Sequence, residues 1–171
     1  GTKAAFVIDT ELEGGETKTF DFRMSPHKME NAFFDFDEVF EVRKKESDEF
    51  YDEIQKDFNC EDEKNVQRQA FAGLLWNKQF YHYKVGKWLN GDPNFRVERN
   101  FEHHVRNVEW KHMNCKDIIS MPDKWEYPWF ATWDLAFHCV SFSILDPDFA
   151  KNQLQLLTKE WYMHPNGQLP A

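Results

Sequence analysis

The spacing of apolar residues changes from a period of two to a helical period along the chain. Within residues 3–24, apolar positions alternate with polar ones in two runs, Ala4-Phe6-Ile8 and Phe20-Phe22-Met24. This alternation is typical of half-buried strands, and Gly14-Gly15 between the runs is a turn signal. The pattern predicts an antiparallel hairpin, which needs a further sheet because two strands alone are marginal in water.

Helical spacing begins near residue 35. Apolar stripes predict four helices, at about 35–57, 62–89, 129–144 and 147–163. Gly91 and Pro93 end the second helix, while Pro128 and Pro147 suit the first turns of the last two. Residues 91–127 lack a clear period, so they are predicted to form a long irregular loop, a kind of segment that is often functional.

Composition and charge argue against some classes of protein. The 171-residue chain has a formal net charge of -9, which argues against nucleic acid as a partner because such sites need clustered basic residues. No apolar run approaches the roughly 18 residues that span a membrane. Three cysteines do not form a disulfide framework, which favours a cytoplasmic location.

The densest chemistry lies in residues 121–138, where carboxylates are interspersed with large aromatic residues. A carboxyl group buried among rings has a raised pKa, as a general acid needs. Asp134, one turn inside a helix, fits that role, but an acid there also simply complements the helix dipole. Likewise, Trp125, Tyr127 and Trp129 either line a sugar subsite or wedge the loop into the core. His138 either bonds Asp134 or fills the core.

Metal and cofactor sites have weaker support. His103, His104, His112 and Cys115 lie in the long loop, but no CxxC or HExxH motif accompanies them. A structural zinc site needs a closed set of about four ligands. GxSxG, P-loop and GxGxxG motifs are absent as well. The sequence therefore predicts neither a metal nor a cofactor.

Several runs resemble a known family of enzymes. The run 120–138 (SMPDKWEYPWFATWDLAFH) closely resembles the catalytic-domain signature of glycoside hydrolase family 63, which includes mannosyl-oligosaccharide glucosidases and mannosylglycerate hydrolases. The stretches 67–81, 146–151 and 160–168 are similar to that family too, and residues 1–5 resemble the last strands of the β-sandwich that precedes its catalytic barrel. The resemblance covers nearly the whole chain.

The resemblance implies a mainly α fold in three parts. Residues 1–25 would be a β-hairpin remnant of the β-sandwich, and residues 26–60 a linker with a charged helix. Residues 61–171 would form the first helices of an (α/α)6 barrel, completed by the remainder of a split or trimmed barrel.

The resemblance also implies inverting hydrolysis of α-glucosides or α-mannosides. Asp134 maps onto the general acid, and Trp129 resembles a ring of the glycone pocket. The other residues expected to bind substrate are Trp125, Tyr127, Trp133 and His138. Inversion needs a second carboxylate about 6.5–9.5 Å away. In the family this base lies far downstream, so the chain is expected to be an internal fragment, inactive alone.

Two other functions remain open. The chain fits a non-catalytic, carbohydrate-binding or scaffold fragment of the same family, or an unrelated helical interaction module.

Overall fold

The computed structural model describes residues 4–91, 94, 108–127 and 130–170. The chain divides into two compact units, residues 1–50 and 51–171. In chain order the described elements are helix α1 (Phe36–Ile54), helix α2 (Glu61–Trp76), strand β1 (Lys78–Lys84), helix α3 (Val85–Asn90), strand β2 (Asn114–Ser120), helix α4 (Thr132–Leu145) and helix α5 (Pro147–Leu157).

The predicted N-terminal hairpin is wrong. The turn at Gly14-Gly15 forms, with Gly15 at a φ of 83°, but none of residues 4–35 lies in a strand. The rings of Phe6 and Phe22 approach to 5.8 Å between centroids, yet both side chains are exposed. Two strands form a stable ladder only where another surface covers their apolar face, and the first unit supplies none among its described residues.

The helix predicted at 35–57 is confirmed as α1. The helix predicted at 62–89 is wrong for residues 77–84, between the end of α2 and the start of α3. The N–H of Asn77 closes α2 by donating to the carbonyl of Leu74 at 3.1 Å. The following segment, KQFYHYK, is rich in aromatic residues, which favour strands. Gly91, with a φ of 71°, ends the short helix α3 where the sequence predicts a helix end.

Strands β1 and β2 form a two-stranded antiparallel sheet. Lys78 pairs with Ser120 at one end, and Lys84 pairs with Asn114 at the other. Strand β2 lies within the segment predicted to be irregular, so that prediction is wrong for residues 114–120. Short-range periodicity does not reveal β2, because its partner strand lies about 36 residues earlier in the chain.

Helices α4 and α5 confirm the two C-terminal helix predictions, although α5 ends at Leu157 instead of residue 163. The two helices pack through Phe142 and Phe149, whose ring centroids lie 5.0 Å apart. The core of the second unit combines α4, α5 and the sheet, and its fully buried apolar side chains are Val85, Cys115, Ile119, Leu135, Phe142 and Tyr162.

The predicted fold class is therefore corrected. The described residues form five helices with an antiparallel sheet between α2 and α4, whereas the first helices of an (α/α)6 barrel would follow one another without strands. The β-sandwich remnant is not seen in residues 4–25. The domain boundaries predicted at residues 25 and 60 stay predictions.

Candidate functional site

Asp134 lies in the first turn of α4, and its side chain is partly exposed. The residue before the helix, Ala131, provides no side-chain cap. The hydroxyl of Thr132 instead donates to the carbonyl of Pro170. A carboxylate in this turn faces unpaired backbone N–H groups and the positive end of the helix dipole. The position fits both a dipole-complementing acid and a carboxylic acid presented to a ligand.

His138 lies one helical turn after Asp134 and is fixed to the end of β2. Its Nδ1 lies 2.7 Å from the hydroxyl oxygen of Ser120, which is 1% exposed. Burial lowers the pKa of His138 below its usual 6.5, and the nearby Asp134 charge opposes that shift. The imidazole is therefore a neutral group at neutral pH.

The hydrogen bonds around Ser120 favour one tautomer of His138. Among the described residues, the ring nitrogen of His138 is the partner shown for the Ser120 hydroxyl. A buried hydroxyl needs an acceptor for its proton, so the O–H donates to Nδ1. The imidazole hydrogen then lies on Nε2, and no hydrogen-bond partner of Nε2 is seen among the residues that the structure describes.

Gln153 of α5 holds the outer edge of β2 beside this pair. Its Oε1 accepts from the N–H of Ser120, and its Nε2 donates to the carbonyl of Ile118, both at 3.0 Å. One side chain thus satisfies the two edge groups that a third strand would pair. This arrangement blunts the edge and fixes Ser120, and through it His138.

The turn that carries Trp125 and Tyr127 is fixed by its backbone, while its rings face solvent. Asp123 Oδ1 accepts from the N–H groups of Trp125 and Glu126, each at 2.9 Å. Trp125 is 90% exposed, and Tyr127 is exposed as well. The wedge interpretation is therefore wrong for Trp125. Asp123 caps the turn, as its position in the loop suggests.

The predicted site consists of two parts in the structure. Trp133, Asp134 and His138 lie together on α4, and the exposed ring of Trp133 contacts Phe137 edge-on, 6.2 Å between centroids. Trp125 and Tyr127 lie on the preceding turn. Trp129, the ring expected in the glycone pocket, lies outside the described residues.

An open groove of about 460 Å³ lies elsewhere on the second unit. Its lining includes Lys78, Asp117, Ile118, Phe149, Leu156 and Lys159, none of which the sequence singled out. These residues come from β1, β2, α5 and the segment just after α5, and sequence periodicity does not bring them together. Lys78 Nζ bonds Asp146 Oδ2 at 2.7 Å and lies 4.2 Å from the centre of the Phe149 ring.

The loop histidine bonds a backbone carbonyl at the surface, and the loop cysteine is buried in the core. His112 Nε2 lies 2.9 Å from the carbonyl oxygen of Met163. Cys115 is buried, and burial raises the pKa of its thiol to about 11. Within the described ranges, no group of three or more His, Cys, Asp or Glu residues is arranged to hold a metal. His103 and His104 lie outside those ranges.

Comparisons with known proteins give one informative match. The uncharacterized protein YMR196W of Saccharomyces cerevisiae is 53% identical over 184 aligned residues, which take in the whole of this chain. The chain spans 17% of the length of that relative. No protein-family model matches the chain, and no solved structure does. Across the described helices, none is long and apolar enough to cross a membrane.

Proposed function

We propose that the chain is a segment of an inverting α-glycosidase and that Asp134 is its general acid. The observation that carries the proposal is the position of Asp134. A partly exposed carboxyl group follows the exposed Trp133 in the chain and lies one turn from the imidazole of His138, whose pKa burial lowers. Sugar sites combine these elements, because aromatic rings pack on the C–H faces of the sugar while carboxyl groups act on its oxygens.

In this reaction the carboxylic acid of Asp134 donates its proton to the glycosidic oxygen as the bond to the anomeric carbon breaks. A second carboxylate activates a water molecule on the opposite face of the ring, about 6.5–9.5 Å from the first. Proton donation of this kind contributes roughly 10²–10⁴-fold to the rate. We propose that the base comes from a part of the longer protein beyond these 171 residues.

His138 supports this chemistry as a fixed donor. With Nδ1 bonded to Ser120, its Nε2–H would donate to the sugar or to Asp134. Trp125 and Tyr127 add exposed rings on the preceding turn. The ring of Trp125 is the more exposed of the two. These rings would extend the site beyond the sugar that is cleaved.

A non-catalytic carbohydrate-binding segment is the second candidate. The exposure of the Trp125 and Trp133 side chains favours it. The groove described above favours it as well, because none of the predicted site residues lines that groove. Exposed rings of this kind bind sugars without performing chemistry on them.

A hydrolysis assay on the full-length natural polypeptide, with a panel of α-glucosides and α-mannosides, tests the proposal. Asp134→Asn should remove nearly all turnover of alkyl glycosides, whose leaving group needs a proton. Asp148→Asn is the matched control. Asp148 also lies in the first turn of a helix, so the substitution removes the same interaction with a helix dipole. Turnover of alkyl glycosides that survives Asp134→Asn contradicts the proposal. Sugar-dependent tryptophan fluorescence without turnover in the wild type supports the second candidate.

A further inference from the structure

Helix α4 has two apolar faces. The inner face is buried in the core through Leu135, Cys139, Phe142 and Leu145. On the opposite face, Phe137, Val140 and Ile144 recur at helical spacing and are 69%, 70% and 58% exposed. We call these three residues the outer stripe of α4.

A helix that is apolar on all sides is normally buried. Helix α4 contains one acidic residue, Asp134, and no basic one, although the whole chain carries a net charge of -9. Single exposed apolar residues are common on protein surfaces, but a contiguous patch marks a binding surface. Three large apolar side chains on successive turns form such a patch.

We infer that the outer stripe is the docking surface for an apolar segment of the same polypeptide that lies outside these 171 residues. The length of the yeast relative carries the choice of occupant. The match runs through the whole of this chain and accounts for 17% of that protein, so a natural polypeptide of comparable length would contain further sequence that can cover α4. A segment in the same chain is also present at a high effective concentration.

The position of the stripe places the docked segment next to Asp134. The ring of Trp133 contacts Phe137 edge-on at the N-terminal end of the stripe, and Asp134 follows on the flank of the same helix. A segment packed on Phe137 therefore borders Asp134. The contact depends only on the apolar face of α4 and goes beyond the proposed glycosidase activity, so it is tested without any substrate.

Hydroxyl-radical footprinting of the full-length natural polypeptide measures the contact directly. Oxidation of Phe137 and Ile144 should be several-fold slower in the native protein than in urea, and equally slow across a broad dilution series. Trp125 serves as the exposed reference. Native oxidation as fast as in urea overturns the inference. Protection that disappears on dilution overturns it as well, because it identifies a second copy as the occupant.

A substitution provides a second readout in the same polypeptide. Val140→Thr is nearly isosteric but places a hydroxyl in the proposed contact, so it should lower the midpoint of thermal unfolding. Val66→Thr is the matched control, since Val66 lies on α2 and is 62% exposed; it reports the cost of the same change to a helix. A midpoint for Val140→Thr no lower than that for Val66→Thr contradicts the inference.

Discussion

The hydroxyl oxygen of Ser120 lies 2.7 Å from Nδ1 of His138 and joins the last residue of β2 to the second turn of α4. This bond connects the sheet to the helix that carries Asp134. It fixes the imidazole near the N-terminal end of α4, where Asp134 and Trp133 face solvent. The orientation of the candidate site thus depends on a strand that lies 18 residues away from the histidine in sequence.

The pKa of His138 should lie below 6.5 in the folded protein, because burial disfavours the charged imidazole. Between the folded pKa and 6.5 the unfolded chain binds more protons than the folded chain. Stability should therefore fall as pH decreases through this range, and His138→Gln should reduce that dependence. An NMR titration of the ring with a midpoint at or above 6.5 would show that burial does not control this group.

The same NMR experiment reports the tautomer. Long-range ¹H–¹⁵N correlations should show the hydrogen on Nε2 in the wild type, because the Ser120 hydroxyl donates to Nδ1. Ser120→Ala removes that donor and should produce a mixture of tautomers, whereas Ser143→Ala, on the exposed side of α4, should leave the spectrum unchanged. A hydrogen on Nδ1 in the wild type contradicts the assignment.

Gln153→Leu should destabilise the protein strongly. The change keeps the side-chain volume but leaves the Ser120 N–H and the Ile118 carbonyl without the partner that Gln153 provides. Each unsatisfied buried group costs about 1–3 kcal/mol. Gln155→Leu, on the exposed face of α5, is the control. Equal urea midpoints for the two variants would show that the edge of β2 does not depend on Gln153.

Asp146 should stabilise α5 in two separable ways. Its carboxylate accepts from the N–H of Phe149 at 3.0 Å as the helix cap and pairs with Lys78. Asp146→Ala should cost about 0.5–2 kcal/mol in urea unfolding, and Asp146→Asn less, because Asn is also a good cap. Equal losses of unfolding free energy for both variants would show that the charge of Asp146, and not its capping hydrogen bond, stabilises α5.

Asp146 also makes stability depend on pH, but through hydrogen bonds to its charged form and not through burial. The hydrogen bond from Lys78, and then that from the Phe149 N–H, hold the pKa of Asp146 below its usual 3.8. This contribution is present above pH 3.8 and is lost as pH falls through the folded pKa. Asp146→Asn should remove it, so the wild type and the variant should converge in stability at the acid end of the titration.

The sequence predicted the parts of the fold that depend on neighbouring residues. Helices α1, α4 and α5 begin near the predicted positions, because apolar stripes and the capping pair Asp146-Pro147 act locally. The sheet was missed because the apolar stripe of α2 continues through residues 81–88, and nothing local shows that β1 pairs with β2. The N-terminal hairpin failed for a related reason, since alternation alone does not supply the surface that would cover it.

In the candidate site as well, the sequence predicts the residues that are close in the chain and misses those that are distant. Asp134 and His138 are four residues apart, so the sequence placed them on one helical flank. Ser120 and Gln153 were not predicted, because they reach His138 only through the sheet and α5. A serine at the end of a buried strand has no distinguishing signal until its partner strand is known.

The leaving-group dependence of hydrolysis in Asp134→Asn tests the central claim most directly. The measurement compares α-glycosides that have the same sugar and leaving groups of different acidity, with the full-length natural polypeptide and the variant. If Asp134 is the general acid, the variant should lose turnover on alkyl glycosides and retain it on dinitrophenyl glycosides, whose leaving group needs no proton. An equal loss on both substrates, or no loss on either, would contradict the assignment of Asp134 as the general acid.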